Sequence, residues 1–85
     1  MDKQEIIDKI NQVFAESFEI EKNKLLPQVN IFEDLGLDSL DVVDLVVALQ
    51  QKFGIKIRAD QRVRDIRTLE DIYKFVLILK NEEEK

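Results

Sequence analysis

The stretch from Asp38 to Phe53, Asp-Ser-Leu-Asp-Val-Val-Asp-Leu-Val-Val-Ala-Leu-Gln-Gln-Lys-Phe, constrains the chain most. Read as a helix, it places Asp41, Asp44 and Gln51 on one narrow polar stripe. Leu40, Val42, Val43, Leu45, Val46, Val47, Leu49 and Phe53 cover most of the remaining circumference. A helix apolar over so much of its surface is expected to be enclosed by other elements, or to hold something apolar. Gly36 breaks the chain just before it, and Asp38 suits the N-cap, where its carboxylate accepts a backbone N–H of the first turn. Asp41 adds negative charge at the positive end of the helix dipole. Ser39 is then the first helical residue, with its hydroxyl pointing into water.

What precedes this helix has to pack against it. Ile6, Ile10, Val13 and Ser17 follow the helical period, and Ile7 and Phe14 widen the stripe, which predicts a first helix over 3–17 capped by Asp2. Glu5 and Lys9 are spaced as a favourable i, i+4 pair. The connection from Phe18 to Leu37 is long for a small domain, and it holds the only proline, Pro27. Leu25, Leu26, Val29, Ile31, Phe32, Leu35 and Leu37 punctuate it, so it reads as an ordered loop pinned to the core.

Beyond the central helix, Gly54 is a suitable C′ residue. Ile55-Lys56-Ile57 alternates like a strand but has no partner strand, so it reads as a loop with two buried isoleucines. Ala59 to Asp65 suggests one or two helical turns. Thr68 and Asp71 have the spacing of a capping box, opening a last helix to about Lys80 with Leu69, Ile72, Phe75, Val76 and Leu79 inward. The fold expected is all-α: a small four-helix bundle with three longer helices, a short third one, and a long ordered loop between the first and second. Residues 1–80 form the helical domain and 81–85 a charged, frayed tail.

Composition narrows the chemistry. The chain has 85 residues, enough for one domain. A net charge of −5 argues against a general nucleic-acid binder, which needs Lys and Arg to neutralise phosphates. With no Cys there is neither a disulfide framework nor thiolate chemistry, and with no His the usual general base is missing. The first residues are no signal peptide, and the longest apolar run, Leu45 to Leu49, is far too short to span a bilayer. A soluble, monomeric, cytoplasmic protein is the expectation.

Ser39 as a catalytic nucleophile would need an adjacent base. Asp38 and Asp41 stand nearby, but solvated carboxylates do little for a serine, and no Gly-x-Ser-x-Gly turn is present. No enzyme activity is expected. The acidic pair Glu33/Asp34 and the run 82–84 lack the ligand spacing of a calcium loop, so no metal is expected. No phosphate-binding Gly-rich loop occurs either. What remains is an accessible hydroxyl at a helix N-terminus, a place that favours an anion. Taken alone, Asp38-Ser39 is equally a plain capping pair.

The wider run, Glu33-Asp34-Leu35-Gly36-Leu37-Asp38-Ser39-Leu40-Asp41-Val42-Val43-Asp44-Leu45-Val46, resembles the prosthetic-group motif of the acyl carrier proteins. The resemblance continues through Phe53-Gly54-Ile55-Lys56-Ile57. It implies that Ser39, flanked by Asp38, carries 4′-phosphopantetheine transferred from coenzyme A by a phosphopantetheinyl transferase. The thiol of that arm would hold acyl groups as thioesters, for fatty-acid or more specialised lipid or polyketide enzymes. It also implies docking of Asp38, Leu40, Asp41 and Asp44 on basic patches of acyl-transferring and acyl-modifying partners. Val43, Val46, Val47, Leu49 and Phe75 are candidates to line a space for the acyl chain, although core packing accounts for them equally.

One feature departs from the family pattern. Gln50, Gln51 and Lys52 stand late in the central helix, and Lys52, Lys56, Arg58, Arg62, Arg64 and Arg67 outweigh Asp60 and Asp65 beyond it. Acid surrounds the serine and base lies farther on, which suggests a specialised carrier whose partner offers an acidic surface to Arg62 and Arg64. Two alternatives stay open: an aminoacyl or peptidyl carrier domain, and a helical adaptor that keeps the fold without the arm.

Overall fold

The computed structural model describes residues 2–57 and 65–83, which hold three α-helices: α1 (Lys3–Ser17), α2 (Ser39–Phe53) and α3 (Leu69–Glu83). In α1, Ile6, Ile10, Val13 and Phe14 fall on one side and are buried. Asp2 caps its start by accepting the Glu5 N–H at 2.8 Å. Ser17, expected on the inner stripe, is exposed. The helix ends there, with the Phe18 N–H bonded to the Phe14 carbonyl at 3.1 Å and Glu19 turned into the left-handed region at φ 56°.

In α2, Leu45, Leu49 and Phe53 are buried at i, i+4 and i+8. The expectation that this helix is enclosed is corrected by Leu40, Val43 and Val47, which are 76%, 60% and 45% exposed. Their spacing, i, i+3 and i+7, makes them one outward apolar stripe. A short chain has too few elements to wrap a helix on every side.

The first helix and α3 complete the core. Leu69, Ile72, Tyr73, Phe75 and Val76 are buried from α3, and Leu79 is half-buried. Tyr73 donates its hydroxyl hydrogen bond to Asn11 Oδ1, joining α3 to α1. Burial raises the Tyr73 phenol above its ordinary 10.0, the Asn11 bond opposes this, and the charge of Asp8 adds to the rise.

The connection from α1 to α2 is ordered, as expected. It contains a 3-10 turn at Lys22–Lys24, and Leu25, Ile31 and Leu37 sink into the core while Val29, Phe32 and Leu35 pack half-buried against it. Leu26 departs from that expectation and is 47% exposed. The loop is held to the start of α3 by backbone pairing. Ile31 N–H donates to the Arg67 carbonyl at 2.9 Å, Leu69 N–H to Val29 at 3.1 Å and Glu70 N–H to Pro27 at 2.9 Å, around an isolated antiparallel bridge between Asn30 and Thr68. Two N–H groups that a helix start leaves unpaired are thus satisfied by the loop.

The capping box at α3 is present. Thr68 Oγ1 accepts the Asp71 N–H at 3.2 Å, and Asp71 Oδ2 accepts the N–H groups of Thr68 and Arg67 at 3.1 and 3.0 Å. Gly54 follows α2 at φ 63°, and Lys80 Nζ reaches the Phe53 carbonyl at 3.4 Å. Ile55 and Ile57 are buried as the loop reading expected, and the Ile57 N–H is accepted by Gln50 Oε1 at 2.9 Å. The short helix expected at 59–65 falls almost wholly outside the described residues. Helix α3 runs to Glu83, so the tail drawn at 81–85 starts as helix. Among the described residues no helix is long and apolar enough to cross a membrane.

Candidate functional site

Ser39 is the first residue of α2 and is exposed. Its position is set by two locks. The nearer is a reciprocal capping box: Asp38 Oδ1 accepts the Asp41 N–H at 2.9 Å, and Asp41 Oδ2 accepts the Asp38 N–H at 3.1 Å. Such a box satisfies donors at the helix start and fixes the entry angle of the chain.

The farther lock is the turn over residues 30–37. Asn30 Oδ1 accepts the N–H groups of Phe32 and Glu33 at 2.8 and 2.9 Å. Asp34 Oδ2 accepts the Asn30 N–H at 2.8 Å, and the Asn30 carbonyl accepts the N–H groups of Asp34 and Leu35 at 2.8 and 3.2 Å. Leu37 N–H closes the turn on the Ile31 carbonyl at 3.0 Å, and Gly36 between them adopts φ 74°, where a side chain is strained. Sequence reasoning missed Asn30. The one available signal was an Asx residue four positions before Asp34 and six before a glycine, a pattern shared by many turns.

The expected docking residues divide. Asp38, Leu40 and Asp44 are exposed beside Ser39, and Asp41 is half-buried. Arg62 and Arg64 lie outside the described residues. The acyl-space candidates divide too. Leu49 and Phe75 are in the core and Val46 is half-buried against it, whereas Val43 and Val47 face outward. Phe75 also borders a surface hollow of about 210 Å³ with Ile66 and Ile78.

The local chemistry suits an anionic group esterified to the Ser39 oxygen. The hydroxyl is accessible, stands at the positive end of a helix dipole, and adjoins the apolar Leu40 surface. Among the described residues no cluster of three or more acidic side chains is arranged to hold a metal ion.

These features define a small helical domain with an exposed serine at the capped start of its central helix. The family described as "Phosphopantetheine attachment site" matches residues 8–76. The chain is 33% identical over 76 residues to the acyl carrier protein of Thermosynechococcus vestitus, covering 89% of this chain and 93% of that one. It is 36% identical over 72 residues to acyl carrier protein 2 of Ralstonia nicotianae, covering 85% and 88%. It is 40% identical over 68 residues to the acyl carrier protein of Syntrophobacter fumaroxidans, covering 80% and 83%. The crystal structure of the acyl carrier protein from Thermotoga maritima superposes with a TM-score of 0.79 at 27% identity, over 96% of this chain and 94% of that one. The chain belongs to the acyl carrier protein family, whose members are carriers rather than enzymes and whose cofactor is 4′-phosphopantetheine.

Proposed function

We propose that Ser39 is the attachment point of 4′-phosphopantetheine and that the protein delivers acyl thioesters to fatty-acid or related biosynthetic enzymes. The observation that carries this reading is the exposed Ser39 hydroxyl at the capped start of α2, inside the stretch matched by the attachment-site family. The arm supplies the thiol that a chain without cysteine lacks. The protein's own residues hold and present. Asp38 and Asp41 fix the angle at which the serine leaves the bundle. Asp38, Asp41 and Asp44 give the face around it negative charge, and Leu40, Val43 and Val47 give it an apolar stripe. A phosphopantetheinyl transferase and acyl-processing enzymes with basic rims fit such a face, since opposite fields speed encounter and fix orientation.

Val46, Leu49 and Phe75 are the candidates to admit an acyl chain between α2 and α3, at about 0.8 kcal/mol for each CH₂ removed from water. Val43 and Val47 point away from that space and belong with the docking face. The basic run from Lys52 to Arg67 supports a partner that offers acid to Arg62 and Arg64, and so a specialised pathway.

Donor preference tests this reading. The arm-bearing protein is offered acyl-coenzyme A with an acyl transferase, and separately amino acids with an adenylating enzyme. Acyl thioester formation alone supports it, aminoacyl loading alone assigns the peptidyl class, and full function of Ser39→Ala would leave only an adaptor.

A further inference from the structure

The capping box at Asp38 orients Ser39 relative to α2, and the turn before it orients the same residues relative to the core. Ile31, at one end of that turn, is fully buried and tied to Arg67. Leu37, at the other end, is 8% exposed and leads straight into Asp38. Between them the backbone reverses through Phe32, Glu33, Asp34, Leu35 and Gly36. A reversal of this length leaves N–H groups that no regular element satisfies. Asn30 takes two of them on one side-chain oxygen, and its own N–H and carbonyl engage Asp34 and Leu35. Two side chains, half-buried Asn30 and exposed Asp34, therefore hold the turn that leads through Leu37 to Asp38 and Ser39.

We propose that Asn30 is a positioning residue for modification of Ser39, acting through the 30–37 turn to keep the hydroxyl in the presentation a transferase recognises. This rests on Ser39 being the attachment point. Without the Asn30 oxygen the turn samples shapes in which Asp38 and Ser39 leave the bundle at other angles. Only the fraction in the native shape docks, so apparent affinity falls by that fraction while the chemistry in the docked complex is unchanged. Two lost hydrogen bonds lower the ratio of native to other turn shapes by roughly tenfold or more, and the docking fraction falls with that ratio once the other shapes outweigh the native one.

The side-chain oxygen is the feature that counts. Asn30→Ala removes it, and Asn30→Asp restores an acceptor in the same place. Asp34→Ala releases the Asn30 N–H from the other side of the turn and leaves residue 30 intact.

The test is steady-state transfer from coenzyme A to the full-length variants by a phosphopantetheinyl transferase, followed by intact mass, with Ser39→Ala as the control. Asn30→Ala is expected to raise KM for the carrier several-fold, up to about tenfold, with kcat within twofold, and Asn30→Asp to recover most of the loss. Amide exchange at Phe32 and Glu33 should quicken in Asn30→Ala while exchange in α1 and α3 stays as in the parent. An unchanged KM in Asn30→Ala overturns the proposal, as does a fall confined to kcat. Should Asn30→Ala fail to fold, Asp34→Ala carries the same expected KM signature, and Asp34→Asn, which loses the charge but keeps an acceptor for the Asn30 N–H, stays near the parent. An unchanged KM in Asp34→Ala, or an equal rise in Asp34→Asn, overturns the proposal. Modification of Ser39→Ala would instead overturn the attachment reading and leave the role of Asn30 in the turn untouched.

Discussion

At the scale of single residues, backbone conformation decides which side chains the chain tolerates. Gly54 and Gly36 sit at φ 63° and 74°, and a Cβ at either would meet nothing within 4 Å. Substitution there is therefore penalised by torsion alone. Gly54→Ala should lower unfolding free energy by about 1 kcal/mol, read from denaturant midpoints at unchanged m-value. A larger loss would mean that packing also fails. Gly54 was legible in the sequence because the left-handed C′ position is a local demand that follows directly from the end of a helix. Asn30 was not, because its value depends on Ile31 being anchored to Arg67, a pairing across more than thirty positions that no local pattern encodes.

Individual elements are fixed at their ends. Both later helices open on a capping box. The box at Thr68 and the Asp38 cap were readable from spacing, whereas Asp41 was read only as charge at the dipole's positive end and its return bond to the Asp38 N–H was missed. Thr68→Ala should cost about 1 kcal/mol, measured by thermal or denaturant unfolding. The box also has a pH signature. Burial raises the Asp71 carboxyl, but hydrogen bonds from the Arg67 and Thr68 N–H groups and the Thr68 hydroxyl, with the nearby Lys74 charge, outweigh it and leave the group below 3.8. A depressed folded value means that the contribution is complete above the unfolded value and is lost as pH falls through the folded one. Asp71→Asn should therefore flatten the acid limb of stability below pH 3.8 relative to the parent. An unaltered limb would show that other carboxylates carry it. The outward stripe of α2 was the main element-level misreading. Periodicity counts apolar residues on a face but is silent about whether a neighbour exists to cover it. Here the core claims Leu45, Leu49 and Phe53, and Leu40, Val43 and Val47 are left to solvent.

Across the whole molecule, the sequence carries acid around Ser39 and base in the segment after α2. Fields of this kind act mainly on association rate and weaken as salt shortens the Debye length. Asp44→Lys should reduce transferase kcat/KM several-fold at low ionic strength, with the deficit shrinking near 1 M salt. Paired Arg62→Glu and Arg64→Glu changes should leave the transferase step alone and slow delivery to the native downstream enzyme. Unchanged delivery would remove the specialised-partner reading. Helix order and the ordered long loop were legible at this scale because amphipathic stripes, glycine breaks and scattered loop hydrophobics all agree. The route of that loop over the start of α3 was not legible, since backbone pairing leaves no side-chain trace.

Acyl carriage as proposed depends on one oxygen atom, that of the Ser39 hydroxyl. Intact mass of the full chain before and after incubation with coenzyme A and a broad-specificity phosphopantetheinyl transferase measures it most directly. A single phosphopantetheine increment on the parent, absent from Ser39→Ala, is the predicted result; no increment on the folded parent, or an increment that persists in Ser39→Ala, would contradict it.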